Sequence, residues 1–203
     1  MKRSRRKIDE FNSIGDDLTM NETARVCPWQ HAWFLDNWIR RLIHNPEKIV
    51  GKYIEKGQTI LDLGCGPGMF SLFMARMVGE EGKVISMDIQ EEMLQILRRK
   101  SEEAGLDSRI LLHKSRPDRI GLREKADFAL AFYMVHEVPD KAGFLSEVAT
   151  LVKPLGRVLI VEPKLHVSKS SFEETVEVAQ STGLRLISRP KVLFSRTVLL
   201  QRV

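Results

Sequence analysis

With 203 residues, 43% of them hydrophobic, the chain can bury one sizeable core but is too short for two ordinary domains and a linker. Its formal charge of +5 sits at the start: Met1 to Lys7 holds five of the 32 Lys and Arg residues, and the other 27 balance 27 acidic ones. The body is therefore no polyelectrolyte for nucleic acid, no stretch approaches the roughly 20 apolar residues of a membrane span, and no signal-peptide core is present.

The basic tail, residues 1–20, reads as a solvated end, and a cytoplasmic protein is expected. Cys27 and Cys65 form neither a disulfide framework nor a metal-binding pair in sequence. Residues 21–55 read as a helical segment. It contains Trp29, Trp33 and Trp38, all the tryptophans of the chain, with Phe34, Leu35, Ile39, Leu42 and Ile43, and Asn45-Pro46 divides it into two helices. Such a segment packs an apolar face on the domain and serves as a lid over a pocket.

Residues 56–203 alternate short apolar runs with amphipathic ones, the pattern of a mostly parallel sheet with helices on both faces. Strands are predicted at Thr59–Leu63, Lys83–Met87, Arg109–His113, Ala126–Phe132 and Arg157–Val161, each apolar enough to be buried on both faces. Helices are predicted at Gln90–Ala104, with Met93, Leu94 and Leu97 inward; at Lys141–Val152, stopped by Pro154; and at Ser171–Thr182, closed by Gly183. Leu184–Ser188 and Val192–Arg202 are two strands with no helix between them, so they pair as an antiparallel hairpin. The fold class is α/β, with a seven-stranded sheet.

The first strand runs into Asp62-Leu63-Gly64-Cys65-Gly66-Pro67-Gly68 and then into a helix. Glycines there let the backbone turn sharply and let a ligand reach the main chain. A dinucleotide fingerprint requires a small residue where Met69 stands, and no Lys-Ser/Thr closes the loop as a phosphate-binding loop would.

In this loop and in its closing hairpin the chain resembles the class I S-adenosylmethionine-dependent methyltransferases from about Lys56 onward. The resemblance implies that Gly64, Cys65, Gly66 and Gly68 lie along the methionine moiety of S-adenosylmethionine and that Asp62 faces its ammonium group. It implies that Asp88, at the end of the second strand, takes the ribose hydroxyls, that Ile89 and Met93 flank the adenine, and that Phe132 borders the site. A helix cap is the other role open to Asp88. The acid common in the family after the third strand is missing from His113-Lys114-Ser115-Arg116-Pro117-Asp118; Ser115 or a backbone amide takes its place, and Asp118 reads as a helix cap.

Methyl transfer needs an oriented nucleophile and sometimes a base. The candidates lie at the carboxyl ends of the fourth and fifth strands, where open α/β sheets bind ligands: Tyr133, His136, Glu162 and His166, with Glu137 beside them. Proton transfer or polar positioning is favoured for them over a mononuclear metal site. Cys27 and His31, four apart on a helix, are a further pair that could join from the lid. Motifs for methylating nucleic-acid bases are absent after the fourth strand. The pattern is closest to small-molecule branches such as ubiquinone/menaquinone-biosynthesis and arsenite methyltransferases, without the cysteines expected for arsenite. A small-molecule acceptor is therefore expected, with S-adenosylhomocysteine as the second product. The alternative is a non-catalytic cofactor-binding module that docks a partner through its basic tail.

Overall fold

Ile60 on one face of the run Thr59–Leu63 and Leu61 and Leu63 on the other are all buried, and this strand, β1, takes an interior place in the sheet. The structure, a computed structural model, describes residues 43–203. Cys27, His31, the tryptophans and the basic tail therefore lie outside the described residues, as does most of the expected lid.

A short helix α1 (Pro46–Val50) leads to β1 (Thr59–Leu63), α2 (Met69–Val78), β2 (Lys83–Asp88), α3 (Glu91–Glu103), β3 (Ile110–Lys114), β4 (Ala126–Phe132), α4 (Lys141–Leu151), β5 (Val152–Pro163), α5 (Lys169–Ser181), β6 (Leu184–Ser188) and β7 (Ser195–Arg202). The sheet order is β3-β2-β1-β4-β5-β7-β6. Every pairing is parallel except those of β7, which runs against both β5 and β6.

Two cores form because the strands alternate their side chains. On one face Phe128, Leu130 and Phe132 of β4 meet α1, α2 and α3 through Val50, Met74 and Leu97. On the other, Ala129 and Ala131 leave room for Leu145 and Val148 of α4 and Phe172 and Val176 of α5.

Boundaries shift where tertiary contacts outweigh local pattern. Pro154 does not end α4; β5 begins at Val152, which pairs with Ala126, and runs through Pro154 with a register shift opposite Ala126 and Phe128. The helix expected at Ser171 starts at Lys169, because the Ser168 hydroxyl caps it by accepting from Ser171 N–H. The last strand starts at Ser195 rather than Val192, since Phe194 has φ 56° and breaks the extended run. Asp118 caps no helix; it sits in a turn closed by bonds between Arg116 and Arg119.

Gly68 precedes α2 at φ 91°, and a Cβ there would lie 2.3 Å from Leu97 Cδ1 of α3. Gly68→Ala is expected to destabilise the fold by about 2 kcal/mol or more through strain and overpacking. Urea unfolding measures this, and an unchanged midpoint would mean that α2 and α3 are not closely seated.

Candidate active site

Parallel pairing sets the carboxyl ends of β1, β2 and β4 side by side, and the loop leaving β1 lies across them. Cys65 N–H donates to Met87 O (2.9 Å) and Gly66 N–H to Asp88 Oδ2 (2.9 Å), so β2 dictates the loop's path. Lys100 of α3 donates to Pro67 O at 3.3 Å. Gly66 has φ 52° and a Cβ built on it meets nothing within 4 Å, which leaves its main chain open to a ligand.

The loop borders a cavity of about 340 Å³, within the range of small-ligand sites. Asp62, Gly64, Cys65, Gly66, Asp88, Ile89, Met93, Ser115, Phe132 and Tyr133 all line it. Gly68 does not; it lies behind the loop against Leu97. The far wall is the connection after β3, pinned by Glu147 of α4, whose two carboxylate oxygens accept from Ile120 N–H (2.8 Å) and Gly121 N–H (2.7 Å).

Two buried carboxylates open into this space. Asp62 is 2% exposed, and burial pushes its carboxyl up to about 7, with the Asp88 charge adding to the rise. Ser71 Oγ–H donates to Asp62 Oδ2 at 2.5 Å, which opposes that rise, and Ser86 Oγ–H donates to Ser71 Oγ at 2.9 Å. Among the described residues no cation pairs with Asp62. Asp88 accepts from Gln90 N–H through Oδ1 (2.9 Å) and from Gly66 N–H through Oδ2; burial raises its carboxyl despite these bonds. It braces the approach to α3, whose own N-cap is Gln90. The Cys65 thiol is pushed well up, by burial first.

At the neighbouring edge, Tyr133 has φ 60° and stacks on Phe132 with ring centroids 4.4 Å apart. Its hydroxyl lies 3.0 Å from His44 Nε2 and 2.7 Å from Ser195 Oγ. Glu162 is buried; one oxygen accepts from Val135 N–H at 2.8 Å and the other bonds His136 Nδ1. That bond holds the His136 imidazole above its usual range, against the opposing effect of burial. His166 is exposed, its ring centroid 6.1 Å from that of His136. The structure thus brings His136 and Glu162 together and sets His166 near them. None of the three lines the cavity, whereas Tyr133, Met134 and Glu137 do. Among the described residues no three His, Cys, Asp and Glu side chains gather closely enough to hold a metal ion.

Residues 54–188 match a family described as a methyltransferase domain. The chain belongs to the class I S-adenosylmethionine-dependent methyltransferases. Curated relatives include demethylmenaquinone methyltransferases of Oceanobacillus iheyensis (31% identical over 109 residues, 54% of this chain and 46% of that one) and Listeria welshimeri (30%, over the same shares). The match thus spans about half the length of these relatives. Among solved structures, an S-adenosylmethionine-dependent methyltransferase of Aquifex aeolicus superposes with a TM-score of 0.79 at 27% identity, covering 88% of this chain and 100% of that one.

Several residues of this methyltransferase site escape a reading of the sequence. Ser71 reaches Asp62, and Ser86 reaches Ser71, only because β1 and β2 pair Asp62 with Ser86 and α2 returns over them. A serine inside the apolar run Val84-Ile85-Ser86-Met87 was the available signal. His44, Ser195 and Glu147 come from distant elements and give none.

Because its imidazole is raised in the fold, His136 adds stability below the ordinary histidine range and loses it as pH rises through the raised value. Glu162→Gln is expected to cost about 2 kcal/mol near pH 6 and less near pH 9. Unfolding at both pH values tests the size and sign, and proton NMR should show the His136 titration moving down.

Proposed function

We propose that this enzyme moves a methyl group from S-adenosylmethionine to a small-molecule acceptor at the Tyr133 edge. The observation that carries the reading is a pair of buried carboxylates, Asp62 and Asp88, opening beside Gly66 into one cavity whose described residues offer Asp62 no cation.

The donor set fits the cofactor. A buried anion suits an ammonium group, and Asp62 would take the one on the amino-acid end. Each Asp88 oxygen accepts one backbone N–H and keeps capacity for a hydroxyl, which suits a vicinal diol. Ile89 and Met93 supply apolar contact for the adenine, and Ser115 stands where the family commonly has an acid. When bound, S-adenosylmethionine supplies a methyl group on a sulfonium, which reacts with an in-line nucleophile.

The chain's remaining task is to orient the acceptor and accept its proton where it carries one. Tyr133 and Glu137 line the cavity and are assigned the acceptor contacts. Glu162 and His136 are assigned positioning: their bonds to Val135 N–H and to each other hold the turn from which Tyr133 and Glu137 project. His136 Nε2 lies 4.0 Å from Glu137 Oε1, close enough for a protonated imidazole to attract that carboxylate. By their names the curated relatives act on demethylmenaquinone; a quinol hydroxyl or ring carbon is accordingly the first acceptor class to assay.

Calorimetric titration with S-adenosylhomocysteine should show binding, weakened at least about tenfold in Asp88→Ala by loss of two charge-assisted hydrogen bonds. No binding by the intact protein would sink the reading.

The acidity of Asp62 gives a second test. With its carboxyl near 7, Asp62 holds a proton on the acid side and must release it to meet an ammonium group. Affinity should rise about tenfold between pH 6 and pH 8. Asp62→Asn should flatten the profile; a steep profile retained in that variant would assign the titration elsewhere.

A further inference from the structure

Three exposed apolar side chains meet at one rim of the sheet: Leu165 (93% exposed) on the turn after β5, and Leu193 (57%) and Phe194 (62%) on the tip between β6 and β7. The two tips are fastened to each other and to the sheet. Lys164 N–H donates to Phe194 O (3.0 Å), Ser195 N–H to Val192 O (3.1 Å) and Arg196 Nε–H to Val167 O (3.0 Å). The apolar groups are therefore presented by an ordered scaffold. Phe194 does so at φ 56°, a conformation that favours glycine or asparagine.

The two segments that form this rim are basic. Residues 163–169 and 189–196 include Lys164, His166, Lys169, Arg189, Lys191 and Arg196 and no Asp or Glu. Arg189 pairs with Glu173, but Lys164 and Lys191 are exposed and make no ion pair with any described residue. The rim is also coupled to the cavity. Leu193 O lies 3.3 Å from His44 Nε2 and accepts from Ser195 Oγ–H at 3.0 Å, and both partners contact the Tyr133 hydroxyl.

We infer that this rim seats the protein on the surface of an anionic lipid bilayer, with Leu165, Leu193 and Phe194 in the headgroup boundary and Lys164 and Lys191 on lipid phosphates. Apolar anchors set among an excess of cations match such a surface. A second copy of the chain is a poor occupant, since a two-fold contact through this patch sets lysines against lysines. No described helix is long and apolar enough to cross a membrane, so attachment here is peripheral. Taken with the acceptor reading of the Tyr133 edge, on which this consequence rests, the contact lets an acceptor dissolved in lipid reach the cavity from the bilayer.

The test is co-sedimentation of the full chain with vesicles of phosphatidylglycerol and phosphatidylcholine in equal parts, and with phosphatidylcholine alone. Binding is expected to the anionic vesicles, falling with salt and weaker on the neutral ones. Leu165→Ser combined with Phe194→Asn should lower it at least about tenfold, as loss of two apolar anchors requires, and Lys164→Gln with Lys191→Gln should lessen its salt dependence. Asparagine accepts the backbone at 194 and residue 165 is solvent-exposed, so thermal unfolding and S-adenosylhomocysteine titration should be unchanged in the apolar double variant. That titration reports separately on the methyl-transfer reading. Failure of the intact protein to bind anionic vesicles, equal binding by the apolar double variant, or a concentration-dependent dimer abolished by that variant would each overturn membrane seating.

Discussion

One hydrogen bond ties the glycine loop to the wall of the cavity: Gly66 N–H to the Asp88 carboxylate. It links a loop that must stay open to a strand end that must present an acid, and it is possible only because β1 and β2 pair in parallel with Leu63 opposite Met87. From that register follow the Cys65–Met87 bond, the direction of α2 and the seat of Asp62 above Ser71. Side chains that a ligand must meet are thus placed by backbone pairing, which tolerates less drift than a contact between flexible groups.

Buried charge is managed differently on the two sides of the cavity. Asp62 is held by hydrogen bonds from Ser71 and sits at the edge of protonation, whereas Glu162 is matched by an amide and an imidazole. A buried acid that no described cation pairs with is unfavourable to the protein alone and favourable to a cationic ligand. The Glu162–His136 pair contributes order: it fixes the turn carrying Tyr133, a residue that also adopts a left-handed backbone. Strain at a strand end beside a cavity is sustained here by stacking on Phe132 and by the bonds from the Tyr133 hydroxyl.

How much of this was legible in the sequence depended on how local each cause was. Thr59–Leu63 and Ala126–Phe132 were readable to the residue, because strands buried on both faces need mostly apolar runs and these end at a glycine and at a tyrosine turn. The antiparallel ending was readable from two β runs with no helix between them. Boundaries set by tertiary partners were not: Val152 joins β5 through Ala126, and Phe194 leaves the strand through a backbone angle that its side chain does not advertise. Of the side chains singled out in the sequence, Asp62, Asp88, Ile89, Met93, Ser115, Phe132 and Tyr133 border the cavity, whereas His136, Glu162 and His166 do not. The layer behind them was hidden, since Ser71, Glu147 and Ser195 matter only once register and helix placement bring them across 9, 27 and 62 positions to Asp62, Ile120 and Tyr133.

The placement of β7 between β5 and β6 bears on how the molecule assembles. β6 precedes β7 in the chain yet touches the sheet only through it, so a growing chain that has made β6 has no strand on which to lay it. Ser195, the first residue of β7, also carries the Tyr133 hydroxyl. The Tyr133 edge is therefore among the parts completed late, after loops of high sequence separation have closed. A nascent chain can shape the glycine loop well before it can shape the far side of the cavity.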